Sequence, residues 1–557
     1  MKTPRFLPVL LAFCMFSTGA SGLVNEYVLA TLTTYILGNS IEQFSIVIAS
    51  MMLMMGISGF VQSQMSDNNL IYKFVGVEVI MAVLGGFAPL AIYGAFAYFE
   101  YNFGVVLYFF VLSVGFLIGF EIPIVMRIIN QQKINLKTNL AIVYAMDYVG
   151  AFVGALIWVK VLLKFYPLTE ISFIVAGFNF SIALITVAYF IFTGIIKHRV
   201  TTAIIMLLTV VVLLIGYLNN RDISDLFEQR FYEDPIILKT TTKYQHIVLT
   251  KNKQLGDIRL YINGNTQFSS LDEKRYHELL VHPVMSIAHK PKNALILGGG
   301  DGLALRELLK YKELKSITLV DLDPDMVKLA SENIQLRKLN KDAFHDARLH
   351  VHPPGNMKSV NVKGVYLESE DSLTKKKHSQ WVATVDVYSI DADQFLRTKN
   401  DQHWDVVIID FPDPSSVELS KLYSKQFYHK LRRHLSRHAF VSVQSTSPYH
   451  SKESFLAIGN TLKAAGFTVL PYRQNIPSFG DWGFYLAWAS DENEKTIKNK
   501  LKTVEKFTVN TNFITPELMR ASFAFGKGEL TSKVNCVNTV MFPCLLTTYT
   551  NYGWQVD

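Results

Sequence analysis

Cysteine is scarce in this chain, with three residues, Cys14, Cys536 and Cys544, among 557. Few, odd in number and without metal-type spacing, they support neither a disulfide framework nor a zinc site. Charge is thin over the first two-fifths, where apolar runs crowd together, and this excludes an ordinary soluble domain there. Basic residues also lack the clustering of a nucleic-acid surface. The net charge is +8, yet the local runs are "KHR" (197–199) and "TKKKH" (374–378), which suit solvated loops or lipid-facing collars. No nucleic-acid partner is expected.

At 557 residues the chain is too long for one ordinary domain. Seven apolar stretches, near 6–30, 42–63, 72–97, 104–126, 139–163, 170–195 and 200–218, reach the roughly 20 residues that cross a bilayer core of about 30 Å. Lys2 and Arg5 ahead of an apolar run, with "STGASG" after it, could mark a cleavable signal. Because spans simply continue, a multispanning region over 1–218 is expected instead. Glu26, Glu78, Glu121 and Asp147 fall in or beside these runs. Charge at such depth invites a functional reading, contact with a cation, but interfacial placement or interhelical hydrogen bonding is preferred. Gly115 to Gly119 and Gly150 to Gly154 give G-x-x-x-G, a pattern for close helix packing.

Beyond Asn219 the texture becomes that of a globular domain. "NALILGGG" suits a buried parallel strand, "LALRELLKY" has helical leucine spacing, "SITLVDLD" is a second strand ending in acids, and "PDMVKLASENI" opens the next helix with Pro324. "WDVVIIDFPDP" is a later strand stopping at Asp410. Alternation of this kind implies a doubly wound parallel sheet, with ligand at the carboxyl ends of the strands. The expected plan is a transmembrane helical bundle (1–218), a small β-rich subdomain (219–290), a Rossmann-like, class I methyltransferase-type domain (291–495) and a C-terminal extension (496–557).

Gly298, Gly300 and Gly302 form G-x-G-x-G, and Asp321 ends the next strand about 20 residues on, where a carboxylate can grip ribose hydroxyls. Asp391, in "SIDADQFL", ends the following strand and could meet an adenine amino group. The plainer reading is that each acid caps the helix after it. Asp301 occupies the place where a pyrophosphate would want a bare helix N-terminus, so NAD is disfavoured. A sulfonium nucleoside tolerates that acid, and one whose tail ends only in an ammonium suits it better than one carrying a carboxylate.

Together these residues resemble the polyamine aminopropyltransferases, the spermidine synthases, in the form with an N-terminal multispanning region. The resemblance runs from about Tyr244 to Phe484. It is carried by "YQHI" (244–247), "NGNTQFSSLDEKRYHELLVHP" (263–283), "GGGDGLALREL" (298–308), "LVDLD" (319–323), "IDADQFL" (390–396), "DFPDPSS" (410–416), "LYSKQFY" (422–428), "VQSTSP" (443–448) and "IPSFGDWGF" (476–484). It implies transfer of an aminopropyl group from decarboxylated S-adenosylmethionine to putrescine, giving spermidine and methylthioadenosine. The donor is a co-substrate, and no cofactor or metal is implied.

By the same resemblance Gln245 would touch the nucleoside, and Gln267, Tyr276 and His277 would line the junction of donor and acceptor. Asp301 would bind the donor ammonium, Asp321 the ribose and Asp391 the adenine. Asp410 and Asp413 would take the attacking amine, with Asp410 as general base, and Gln444 would close the acceptor side. Departures are Asp321 in place of a common glutamate, Asn263-Gly264 at the usual Asp-Gly turn, Phe479 in place of a tyrosine, and a long segment near 352–384 expected as a surface hairpin or lid.

Expected partners are the two small substrates and a lipid bilayer, with a homodimer left open. The expected location is the cell membrane, multi-pass, with a cytoplasmic catalytic domain. Loop charges oppose that side: Arg127, Lys133 and Lys137, and Lys197 and Arg199, mark two cytoplasmic loops, after which a seventh span leads outside. Either a re-entrant pair between 6 and 41 removes one span or the charge rule is overridden, and the cytosolic origin of the donor favours the cytoplasmic side. Two other functions stay open, a methyltransferase using S-adenosylmethionine on the same fold and a polyamine transporter or sensor.

Overall fold

The computed structural model describes residues 7–37, 40–99, 101–131, 136–194, 196, 198–346, 349–352, 384–399, 402–532 and 534–553. Except at its two ends, the segment 352–384 falls outside them. Two compact units divide the chain, Met1–Glu233 and Asp234–Asp557.

The first unit is helical. Its elements are α1 (Leu7–Leu37), α2 (Ser40–Ser63), α3 (Leu70–Tyr98), α4 (Phe103–Gln131), α5 (Leu136–Ile157), α6 (Leu163–Phe165), α7 (Leu168–Phe192) and α8 (Arg199–Gln229). A π turn at Trp158–Leu162 joins α5 to α6. Counting that pair as one, seven helical segments among the described residues are long and apolar enough to cross a membrane. Among the described residues no re-entrant pair occupies the start of the chain: α1 is one continuous helix of 31 residues. Helix α8 runs eleven residues beyond Leu218, because losing apolar residues ends a span without ending a helix, and 219–229 holds no glycine or proline.

The paired glycines do pack helices closely. A Cβ on Gly150 would lie 2.0 Å from the Phe16 carbonyl oxygen of α1, and one on Gly119 2.6 Å from Cα of Met55 in α2. Glu78 has the interhelical partner preferred for it, accepting from Asn179 Nδ2 at 2.9 Å.

The second unit starts with an antiparallel meander, β1 (Ile236–Thr241), β2 (His246–Lys251), β3 (Ile258–Ile262) and β4 (Asn265–Ser269). Asn263 and Gly264 join β3 to β4 with φ of 49° and 81°, the two positive angles that a tight hairpin turn of this hand requires. Helix α9 (Glu273–Ile287) leads into the large sheet. Its strands are β5 (Asn293–Gly298), β6 (Ser316–Asp321), β7 (Leu349–His352), β8 (Thr384–Ser389), β9 (Trp404–Asp410), β10 (Leu435–Gln444), β11 (Thr468–Ile476) and β12 (Gly480–Trp488). They are ordered β11-β12-β10-β9-β5-β6-β8-β7. The six from β10 to β7 are parallel, while β12 pairs antiparallel with both β10 and β11.

Alternating side chains of the central strands feed two cores. Ala294, Ile296, Val406 and Ile408 enter one, and Leu295, Leu297, Val407 and Ile409 enter the other. Burial on both faces is why these strands read as unbroken apolar runs. The covering helices are α10 (Leu303–Leu308), α11 (Pro324–Glu332), α12 (Ile334–Asn340), α13 (Ala392–Thr398), α14 (Val417–Leu422), α15 (Lys425–Arg432) and α16 (Lys452–Ala464). Strand order reverses between β5 and β9, which puts the ligand crevice of such a sheet at their carboxyl ends.

The C-terminal segment adds α17 (Glu494–Thr503), α18 (Pro516–Ser522) and α19 (Cys544–Tyr552). Here the expectation of no disulfide is corrected, since Cys536 and Cys544 are bonded. The odd count misled because Cys14 belongs to the other unit, where its Sγ lies 3.0 Å from Thr186 Oγ1.

Candidate active site

At the switch point Gly298 and Asp410 are direct partners across β5 and β9. Gly298 has φ +87°, and a Cβ there would come within 2.1 Å of the Asp410 carbonyl oxygen, so only glycine fits. The turn then bends over Asp321 at the end of β6. The Gly300 N–H donates to Asp321 Oδ2 at 3.0 Å, and the Asp323 N–H donates to Oδ1 at 2.8 Å. Burial raises the Asp321 pKa to about 6, with those hydrogen bonds opposing. Asp301 accepts at 2.9 Å from the N–H of Leu303, the first residue of α10. Burial raises its pKa too, while the nearby His277 charge pulls it down.

Helix α9 supplies the opposite wall. Tyr276 donates its hydroxyl to Asp410 Oδ1 at 2.6 Å, and its ring packs against Phe484, Phe479 and Trp482 with centroids 5.4, 6.0 and 6.5 Å away. His277 Nδ1–H donates to the Glu273 carbonyl oxygen at 2.8 Å. Burial alone would lower the His277 pKa, but the Glu273 hydrogen bond and the charges of Asp301, Glu273 and Asp410 hold it at about 9. Burial raises Asp410 to about 6, opposed by His277 and by the Tyr276 hydrogen bond. The sheet end thus holds three half-buried acids, two of which, Asp301 and Asp410, act on His277.

Behind His277 lies a network that the motifs did not single out. Arg306 donates through Nη1 and Nη2 to the two Glu273 oxygens at 2.8 Å each, and through Nε to Glu307 at 2.8 Å. Glu273 stands four residues before His277, a same-face spacing that sequence inspection could have used. Glu278, His282 and Glu307 also come within metal-holding reach of one another. Each is already engaged. Glu278 accepts from the backbone N–H groups of Asn512, Phe513 and Ile514, His282 bridges Tyr311 and Glu307, and Glu307 meets Arg306 and Lys310. This donor set ties the C-terminal segment to α9.

Past Asp410 the chain turns to Asp413. Thr446 Oγ1 and Tyr549 OH donate to Asp413 Oδ2 at 2.9 and 3.0 Å, and Gln444 Nε2 approaches Oδ1 at 3.3 Å. Gln444 Nε2 also donates to the Phe411 carbonyl at 2.6 Å and to Tyr423 OH at 2.7 Å.

Of the residues named from sequence, Tyr276, His277, Asp301 and Asp410 lie in one cluster, Asp321 under the turn, and Asp413 and Gln444 in a second cluster. Gly302, with φ +80°, precedes α10. The remaining three make local hydrogen bonds. Asp391 follows β8 and caps α13 by accepting from the Gln394 N–H at 2.8 Å, the plainer role considered for it. Gln267 donates to Asn265 O at 3.2 Å within its own strand. Gln245 donates its backbone N–H to Thr242 Oγ1 at 3.1 Å, and Thr242 in turn donates to Asp323 Oδ2 at 2.7 Å, which ties the meander to the end of β6.

Residues 273–366 and 370–499 match the spermine/spermidine synthase domain. A polyamine aminopropyltransferase from Oceanobacillus iheyensis is 34% identical over 538 residues, covering 96% of this chain and 95% of that protein. The chain belongs to the polyamine aminopropyltransferase family. Polyamine aminopropyltransferase 2 of Ralstonia nicotianae is 36% identical over 480 residues, 86% of each chain. With 96% of the chain matched to the first relative, family likeness takes in the helical unit as well as the sheet. A crystal structure of spermidine synthase in complex with the transition state analogue AdoDATO aligns at a TM-score of 0.41 and 23% identity, over 53% of this chain and 87% of that one. Membership in this family sets aside the methyltransferase and transporter alternatives.

Proposed function

We propose that the chain moves an aminopropyl group from decarboxylated S-adenosylmethionine to putrescine, giving spermidine and methylthioadenosine. The observation that carries this reading is the pairing of Gly298 with Asp410, which sets a nucleoside-type turn beside a half-buried acid held by Tyr276. Both ends of the reaction are cationic, a sulfonium with an ammonium tail and an incoming amine. Acids at the ends of β5, β6 and β9 suit them.

In this scheme Asp301 takes the donor ammonium and Asp321 the ribose. Asp391 and Gln245 flank the nucleoside, and Gln267 lies at the junction with the acceptor. Asp410 and Asp413 orient the diamine, with Gln444 behind Asp413. An alkylamine arrives protonated, with a solution pKa near that of lysine, about 10. Asp410 accepts its proton, using the oxygen that Tyr276 does not occupy, and the freed lone pair attacks the methylene beside sulfur. The new N–C bond forms as the C–S bond breaks, and the electron pair leaves with the thioether. The donor is already an activated electrophile, so the protein positions and deprotonates, and no step calls for a cofactor or metal.

The seven apolar helices support a multi-pass membrane protein whose partner is the bilayer. A cytoplasmic catalytic unit fits the site where the donor is made. The test is direct. Purified full-length protein is given decarboxylated S-adenosylmethionine with a panel of diamines, and methylthioadenosine release is followed. Turnover with putrescine is expected; release with no diamine, or methyl transfer from S-adenosylmethionine instead, overturns the reading.

A further inference from the structure

The last helix of the chain reaches the acceptor side of the site. Tyr549, on α19, donates its hydroxyl to Asp413 Oδ2 at 3.0 Å, across 136 residues of sequence. Its helix is fixed at the base. Cys544, the first residue of α19, is bonded to Cys536, and Leu545 in the next position is fully buried. Asn538, inside the disulfide loop, is also buried. It donates from Nδ2 to Ser420 O at 2.7 Å and from its backbone N–H to Thr461 Oγ1 at 2.9 Å, and accepts from the Lys425 N–H at 2.8 Å. Three elements, α14, α15 and α16, therefore set where α19 stands. From that base Tyr549 is one and a half turns along the helix.

We propose that Tyr549 is a positioning residue for Asp413 and thereby a determinant of acceptor-amine affinity. Three neutral donors, Thr446, Gln444 and Tyr549, engage the Asp413 carboxylate. Together they hold the orientation in which the carboxylate meets an ammonium. Thr446 holds its place through a left-handed backbone, φ +58°, with its N–H on Gln444 Oε1 at 3.1 Å. Tyr549 shares Oδ2 with Thr446 while Gln444 takes Oδ1, and it is the donor carried by α19, so it contributes to the rotation of the carboxylate about its own axis. Donor binding, at Asp301 and Asp321, does not involve it. The proposal rests on the assignment of Asp413 to the acceptor amine.

The experiment is a steady-state comparison of wild type, Tyr549→Phe, Asp413→Asn and the double variant in the full-length protein, with Tyr552→Phe as a control on the exposed end of the same helix. Tyr549→Phe is expected to raise the acceptor KM about tenfold, the effect of one hydrogen bond to a charged group. The donor KM and the kcat at saturating diamine should stay within about twofold of wild type. In the Asp413→Asn background the Tyr549→Phe change should add nothing, because the hydroxyl acts through that carboxylate. An unchanged acceptor KM, or equal losses with and without Asp413, overturns the proposal while leaving the reaction assignment standing. Absence of wild-type turnover with every diamine overturns both.

Discussion

Replacing Asp410 with asparagine keeps the side-chain shape and the acceptor for Tyr276, and removes the atom proposed to take the proton. A positioned general base contributes about 100-fold or more, so kcat should fall by at least that factor, or roughly 2.7 kcal/mol of barrier. The pH dependence sharpens the test. Burial moves Asp410 from 3.8 to about 6, and the group must be ionised to act. In the free wild-type enzyme kcat/KM should therefore climb with pH through about 6 and then level. In kcat the limb should lie lower, because a bound sulfonium favours the ionised acid. Asp321 is also raised to about 6, so the variant separates the two. If the residual activity of Asp410→Asn still shows a limb near 6, the limb belongs to Asp321.

Stability should move the other way. A carboxyl whose folded pKa exceeds its unfolded value favours folding only at low pH, and that contribution is lost as pH rises from about 4 through 6. The unliganded Asp410→Asn protein should then be more stable than wild type at pH 8, by on the order of 1 to 3 kcal/mol, with the difference vanishing toward pH 4. Turnover followed by methylthioadenosine release and thermal unfolding across pH measure the two effects. A kcat within tenfold of wild type refutes the base assignment. Superimposable stability profiles refute the account of a costly, partly desolvated charge.

A methyl group at Gly300 would meet Asp321 Cγ at 2.7 Å, so Gly300→Ala should displace that carboxylate. A shift of about 1 Å at such a contact can cost on the order of 100-fold, expected here in the donor KM with the acceptor KM preserved, and a normal donor KM would count against the placement of Asp321. Glu273→Gln breaks a buried ion pair with Arg306 and should destabilise the protein by about 3 to 5 kcal/mol in denaturant titration. It also removes a hydrogen-bonded charge from His277, so the His277 pKa should fall from about 9; a histidine NMR titration still near 9 would show that Asp301 and Asp410 suffice to hold it.

Local physics made the sheet legible. Apolar runs stopping at Gly298, Asp321 and Asp410 read as buried parallel strands, and each is one, because burial on both faces leaves no room for a polar alternation. Seven apolar helices were readable for a similar reason, since a bilayer selects on composition over length. Where α8 ends was not, because hydropathy marks the edge of a span and says nothing of backbone hydrogen bonding beyond it. The acids at strand ends could be picked out both as chemistry and as helix caps, and Asp391 is such a cap. Tyr549 carried no local signal, since its partner is 136 residues away. The Cys536–Cys544 bond was hidden by pooling cysteines across two units that fold around separate cores.

Gly298 and Asp410 sit opposite each other on adjacent strands, stitched by the same ladder. Breathing or twisting of the sheet therefore carries the cradle of one reactant and the proton acceptor of the other together. New acceptors would have to be accommodated at the periphery, by the turn after β9 and by α19, where a change of shape leaves that pairing alone.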